Sequence, residues 1–338
     1  MKTNAPSDAI HFRVEVADLH AHLFKVTLTV AQPALLQRVS LPVWIPGSYL
    51  VREFSRHLQH LQARQARRAV ALQQLDKCTW EAACNPTRPL TLTYEVYAFD
   101  NSVRTAVLDA TRGFFNGTSL CLRVEGQETR PQMLEIVASS AIARWSVATG
   151  LAPLKVNARG FGTYLAPDYD TLVDCPVEMG SFWHGTFTAC GVPHRFVVTG
   201  ATAAFDGARL LADARKICET ELRFWHGPKA SARGAHRPPF SHYVFMLNAV
   251  DEGYGGLEHR NSTALICTRK DLPRLAEPKQ SEGYITLLGL ISHEYFHTWN
   301  VKRLRPAEFA HTVYNRENYT ELLWFFEGFT SYYDDLLL

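Results

Sequence analysis

No stretch approaches the ~18 consecutive apolar residues of a membrane-spanning helix in the 338-residue chain, so no such span is expected. The N-terminal stretch MKTNAPSDAIHFRVEV lacks the apolar core of a secretory signal. Charge of one sign is also lacking. Lys and Arg number 35 against 33 Asp and Glu, giving a net charge of +2, and no long basic run occurs. Nucleic acid and anionic membrane are therefore not expected partners. Cysteine is sparse and odd in number, seven in all, and no Cys-x-x-Cys occurs. Cys78, Cys84, Cys121, Cys175, Cys190, Cys218 and Cys267 lie scattered in apolar or strand-like contexts. They read as reduced thiols of a cytoplasmic protein rather than as a disulfide framework. There is no internal repeat and no low-complexity tract.

What is present is a change of pattern partway along the chain. IHFRVEV alternates Ile10, Phe12, Val14 and Val16, FKVTLTV alternates Phe24, Val26, Leu28 and Val30, and LTLTYEVYA alternates Leu90, Leu92, Tyr94 and Val96. A period of two in short runs predicts half-buried antiparallel strands. Turns are expected at Pro46-Gly47 and Asn116-Gly117. Strand signals persist to about residue 175, which predicts an N-terminal β-sandwich-like domain over residues 1–176. Beyond it the period changes. Leu210, Leu211, Ala214, Ile217, Cys218, Leu222 and Trp225 have helical spacing, with Asp206 as N-cap and Gly227 as stop. GVPHRFVVTG and HYVFMLN read as strands, Ser281 to Asn300 as a buried helix, and a last helix is expected from about Arg316. Residues 177–338 thus form a second, mixed domain, and the fold class is α+β. The closing FEGFTSYYDDLLL has no cap, so the chain is expected to be truncated within a helix at its C-terminus.

The chemistry concentrates in SHEYFHTWN, residues 292–300. His293 and His297 are four residues apart, so a helix carries both imidazoles on one face. A catalytic zinc takes three protein ligands and keeps one position open. The last helix offers Glu317, Glu321 and Glu327 as the third. Glu327 is favoured because its neighbours in LLWFFEGFTSYY are apolar, aromatic or small, and a carboxylate buried among them needs a cation. One Zn²⁺ per chain follows, with Glu294 as the base that takes a proton from water. A closed structural zinc site would have no use for Glu294.

HEYFHTWNVKRLRP followed by WFFEGFTSYYDDL resembles the glycyl aminopeptidase family of zinc metallopeptidases, which are gluzincins and distant relatives of thermolysin and aminopeptidase N. WIPGSYLVREFSRH, FFNGTSL, DYDTLVDCPVEMGSF and GYGGLEHRNS resemble the same family. The resemblance implies a thermolysin-like catalytic domain and zinc held by His293, His297 and Glu327. It also implies an aminopeptidase acting on peptides with a free N-terminus, favouring small residues such as glycine and alanine. GGLEH corresponds to the GAMEN motif of aminopeptidase N relatives, which implies that Glu258 anchors the substrate ammonium while Gly255 and Gly256 let backbone approach the peptide. His259 stands where that motif has Asn. Relatives use a tyrosine downstream of the third ligand for the oxyanion. Tyr332 and Tyr333 lie too close to Glu327 on one helix for that role, so the tyrosine is expected beyond residue 338, as is a C-terminal region with a PDZ-like domain.

A thermolysin-like endopeptidase, needing no ammonium anchor, and a non-catalytic zinc-binding scaffold are the alternatives. His57 and His60 read as surface residues, Lys302, Arg303 and Arg305 as loop-fixing salt-bridge formers, Ser331 as helix packing or a hydrogen bond behind the metal ligands, and the aromatics around Glu327 as core. Alkylation of the denatured, unreduced chain is expected to modify all seven cysteines; a mass deficit of two alkyl groups would mark a disulfide.

Overall fold

The computed structural model describes residues 6–338; residues 1–5, the start of the stretch read above for a secretory signal, lie outside the described residues. The architecture is mixed α+β, with most strands gathered in sheets and few helices. Two compact units divide the chain. The first holds the described residues up to Gly180 together with Val313–Glu317, the second Ser181–Thr312 and Asn318–Leu338. No helix among the described residues is long and apolar enough to cross a membrane.

In the first unit the period-two runs become strands of an eight-stranded sheet. Ile10–Asp18 pairs antiparallel with Leu23–Val30, which pairs with Leu90–Tyr97. The register sets Phe12 opposite Leu28 and Leu28 opposite Leu92, so alternate apolar side chains form continuous buried rows. One pair departs from the antiparallel expectation: Ile10–Asp18 runs parallel to Gln132–Ile136. Such partners are far apart in sequence, and local alternation carries no information about strand direction. Two four-stranded sheets complete the unit. In one, Arg112 forms a buried bidentate pair with Glu178, both bonds 2.8 Å long. The turn expected at Asn116-Gly117 is the start of a short helix, α1 (Gly117–Leu120), in which the Asn116 carbonyl accepts from Ser119. A second short helix, α2 (Tyr169–Val173), is capped by the Asp168 carboxylate accepting from the Thr171 N–H. Tyr314 joins this unit by donating its hydroxyl to Asp170, while its carbonyl accepts from the Val43 N–H.

The second unit holds a five-stranded sheet in the order Trp183–Ala189, Val192–Thr199, Tyr243–Val250, Ser262–Thr268, Gly255–Glu258. Its three middle strands are parallel, and Tyr243–Val250 and Ser262–Thr268 are buried almost throughout. Strands covered on both faces lose the polar–apolar alternation, which explains the continuous apolar run in the sequence. Helix α3 (Gly207–His226) starts at Asp206, whose carboxylate accepts from the Arg209 N–H, and ends at Gly227. Helix α4 (Glu282–Phe296) is capped by Ser281 and buries Leu287, Leu288, Leu290 and Ile291 in the core. Helix α5 (Leu323–Leu336) begins seven residues after Arg316, where a helix was expected, so Glu317 and Glu321 precede it. It buries only Phe326 and Thr330; Trp324, Phe329 and Tyr332 are exposed rather than core. A helix packed along one stripe leaves residues about 100° away facing outward.

Inside this core His194 donates Nδ1–H to the Val192 carbonyl and accepts the Tyr295 hydroxyl at Nε2, each at 2.9 Å. Its ring stacks on Phe187. Burial lowers its pKa from 6.5 to about 4. The unfolded chain therefore takes up a proton near pH 6.5 that the folded chain refuses until about pH 4. Stability should fall as pH drops through that window, by roughly 3 kcal/mol from this residue, at ~1.4 kcal/mol per unit. Urea unfolding of the wild type and His194→Phe at pH 7 and pH 4.5 checks this: the variant should show the shallower loss. Equal losses would mean that His194 is not the group responsible.

Candidate metal centre

His293 in the last turn of α4 and His297 at its C-cap are four positions apart, and the helix sets their Nε2 atoms 3.0 Å apart. Helix α5 brings Glu327 Oε2 to 3.6 Å from His293 Nε2 and 3.4 Å from His297 Nε2. Among the described residues this is the one group of three such donors lying within a single ion's reach. The expected burial of Glu327 needs correction: its side chain is 38% exposed, against 2% for His297. Its apolar sequence neighbours mostly point to other sides of α5, so its pairing with the histidines comes from helix packing rather than from an apolar cage.

The other ring nitrogens settle the protonation. His293 Nδ1 donates to Asp334 Oδ2 at 2.7 Å, and His297 Nδ1 donates to the Asn300 carbonyl at 2.9 Å. A carboxylate and a carbonyl only accept, so each Nδ1 carries its proton and each neutral Nε2 presents a lone pair. Two lone pairs and a carboxylate oxygen therefore converge with no proton among them, which is stable only around a cation. A tetrahedral-type set of two imidazoles and one carboxylate fits zinc with a position to spare. Where no metal is bound, a proton fills this role. Burial alone would lower the pKa of His293, but Asp334 and Glu327 outweigh it and raise it to about 10.

Residues behind the histidines were not all foreseen. Ser331, proposed for that position, is exposed. Asp334 and Thr330 occupy the place instead. Asn300 Nδ2 donates to the Phe326 carbonyl and to Thr330 Oγ1, tying the end of α4 to α5. The intervening turn is strained, since β-branched Val301 holds φ 98°. Arg303 fixes the following loop in part through backbone carbonyls of Thr298, Arg260 and Pro239. Neither His57 nor His60 belongs to such a group among the described residues: His57 accepts from Arg56 and His60 pairs with Glu95.

Beside the three donors lies a carboxylate pair. Glu294 on α4 and Glu258 at the end of the edge strand are 5% and 4% exposed. Glu294 Oε2 and Glu258 Oε1 have no hydrogen-bond partner among the described residues. Burial, and then the charge of Glu258, pushes the Glu294 carboxyl up to about 7. Gly256 makes this approach possible, because a Cβ there would collide with the Glu294 carboxylate. Gly255, at φ 149°, adopts a backbone that side chains disfavour. Tyr254 was not singled out in the sequence. Burial raises its pKa, and the charges of Asp334 and Glu294 raise it further, although the residue as a whole is exposed. Tyr333 instead packs on Phe224 and Phe296, and Tyr332 is exposed.

Replacing Asp334 by Ala removes the acceptor that orients His293. Zinc affinity, measured by competition with a chromogenic chelator, should fall about 10- to 100-fold with the fold retained. An unchanged affinity would remove Asp334 from the account.

A model of the peptidase M61 N-terminal domain matches residues 11–181, and the M61 glycyl aminopeptidase model matches residues 286–338. A crystal structure of an aminopeptidase N family protein from Idiomarina loihiensis is 43% identical, with a TM-score of 0.92. The match covers 97% of this chain and 54% of that one, so the chain spans about half the length of that relative. An M1 zinc metallopeptidase from Deinococcus radiodurans aligns at 15% identity and a TM-score of 0.47, over 87% of this chain and 64% of that one. No curated protein matches. The chain belongs to the M61 glycyl aminopeptidase family of peptidases.

Proposed function

We propose that the chain carries the zinc-binding part of an aminopeptidase that removes small N-terminal residues such as glycine and alanine, on a catalytic unit of thermolysin type. The observation that carries this reading is the convergence of three lone-pair donors beside two buried carboxylates, each with one oxygen that lacks a hydrogen-bond partner among the described residues. His293, His297 and Glu327 would hold the metal. Zinc bound there supplies Lewis acidity toward the peptide carbonyl and toward water. Glu294 takes the proton from the attacking water and delivers it to the departing amine. A carboxyl raised to about 7 is suited to both halves of that task near neutral pH. Glu258 answers a different need. A second carboxylate beside Glu294 is destabilising on its own, and a substrate α-ammonium supplies the cation that both oxygens lack. Gly255 and Gly256 keep the edge strand free of side chains where the substrate backbone lies. A scaffold with a vestigial site would have no reason to keep two buried carboxylates with unpartnered oxygens beside those donors.

The chain loaded with one equivalent of zinc should hydrolyse a glycyl peptide with a free N-terminus and leave the N-acetylated peptide intact. Cleavage of both would point to an endopeptidase. Glu294→Gln should retain zinc while losing about 10²- to 10⁴-fold in kcat; unimpaired hydrolysis would remove Glu294 as the base. Glu258→Ala should raise KM for free N-termini and abolish the preference over acetylated ones.

A further inference from the structure

The first unit contains a cavity that the peptidase reading leaves without a role. It has a volume of about 220 Å³ and is lined by Val51, Arg52, Glu53, Phe54, Arg56, His57, Asp100 and Thr105. It lies in WIPGSYLVREFSRH, a stretch otherwise explained only by family resemblance.

The cavity is lined by two guanidinium groups and an imidazole as well as by the carboxylates of Glu53 and Asp100. Arg52 donates Nε and Nη2 to the single oxygen Ser48 Oγ, at 2.8 and 2.6 Å, and makes no ion pair among the described residues. Its Nη1 is left over. Arg56 donates Nε to His57 Nε2 at 3.0 Å, which leaves both terminal nitrogens of its fork. A guanidinium is always a donor, so His57 must accept at Nε2 and carry its proton on Nδ1, a further donor. Burial and the charge of Arg56 keep His57 neutral by lowering its pKa. The two nearby carboxylates do not balance these groups. Glu53 is taken by Lys77 Nζ at 2.6 Å, and exposed Asp100 makes no ion pair among the described residues. Burial, and then the charge of Arg104, lowers the pKa of Arg52, and the Asp100 carboxylate offsets only part of this. Phe54 and Val51 add an apolar wall large enough for more than a bare ion.

We propose that this cavity is a binding site for a small oxyanion, specifically the carboxylate of an amino-acid-sized or short peptide ligand, held by the Arg56 fork with Arg52 Nη1 and His57 Nδ1. Planar two-point recognition by arginine suits a carboxylate, and Lys in its place would not reproduce it.

Titration calorimetry on the full chain tests this with N-acetylglycine, whose blocked amine cannot use Glu258, alongside N-acetylglycinamide and inorganic phosphate. N-acetylglycine should bind and the amide should not, and Arg52→Gln and Arg56→Gln should each weaken binding about tenfold at an unchanged melting temperature. If Arg52→Gln disturbs the fold through Ser48, exposed Arg56, whose side chain bonds only His57, decides alone. Binding of phosphate with the same arginine dependence, and none of N-acetylglycine, would uphold an oxyanion site and overturn the carboxylate assignment. Failure of both anions to bind, or binding unchanged in the arginine variants, would overturn the site itself. Neither result bears on the metal centre.

Discussion

The arrangement of the second unit depends on where two histidines place one proton each. His297 gives its Nδ1–H to the Asn300 carbonyl and His293 gives its own to Asp334. Those commitments turn two Nε2 lone pairs toward each other and toward Glu327, an arrangement that electrostatics forbids without a cation. The packing of α4 against α5, the Asn300 bonds to the Phe326 carbonyl and Thr330, and the strained turn at Val301 all serve to keep these lone pairs together. None of this is strong interaction by interaction. It is cooperative, because a few ångströms of slippage between the helices would separate Glu327 from both rings.

A second constraint is steric. Glu294 sits where a residue larger than glycine at 256 would put its Cβ. The edge strand can thus run close beside α4, and the same closeness brings Glu258 near enough to raise the Glu294 pKa. One small residue therefore links backbone approach to carboxyl electrostatics. The sheet supplies the rigidity for this, since Tyr243–Val250 and Ser262–Thr268 are buried on both faces and the edge strand is pinned to Ser262–Thr268 in register.

Much of the secondary structure was legible because its causes are local. Phe12, Leu28 and Leu92 alternate with polar neighbours, and Asp206 and Gly227 bracket α3 with side-chain and backbone chemistry that acts within a few residues. The relation of His293 to His297 was legible for the same reason, as helical geometry alone sets it. The start of α5 was not. Leu322 caps it without a side-chain bond, so no residue type announced the boundary. The aromatic run around Glu327 suggested core, yet only a stripe of α5 meets a neighbour. The parallel pairing of Ile10–Asp18 with Gln132–Ile136 was equally hidden, because strand direction is a property of the pair.

By itself, the sequence determined the alternating and helical periods, the helix that presents two imidazoles on one face, and the residue types able to hold a cation. Those follow from covalent spacing and local geometry. Only the tertiary structure decided that Glu327 reaches the histidines while partly exposed, that Asp334 rather than Ser331 stands behind His293, and that Gly256 abuts Glu294 with Glu258 near enough to act on its charge. Each of these depends on the distance between elements far apart in the chain, and that distance is set by packing, which no local run of residues encodes.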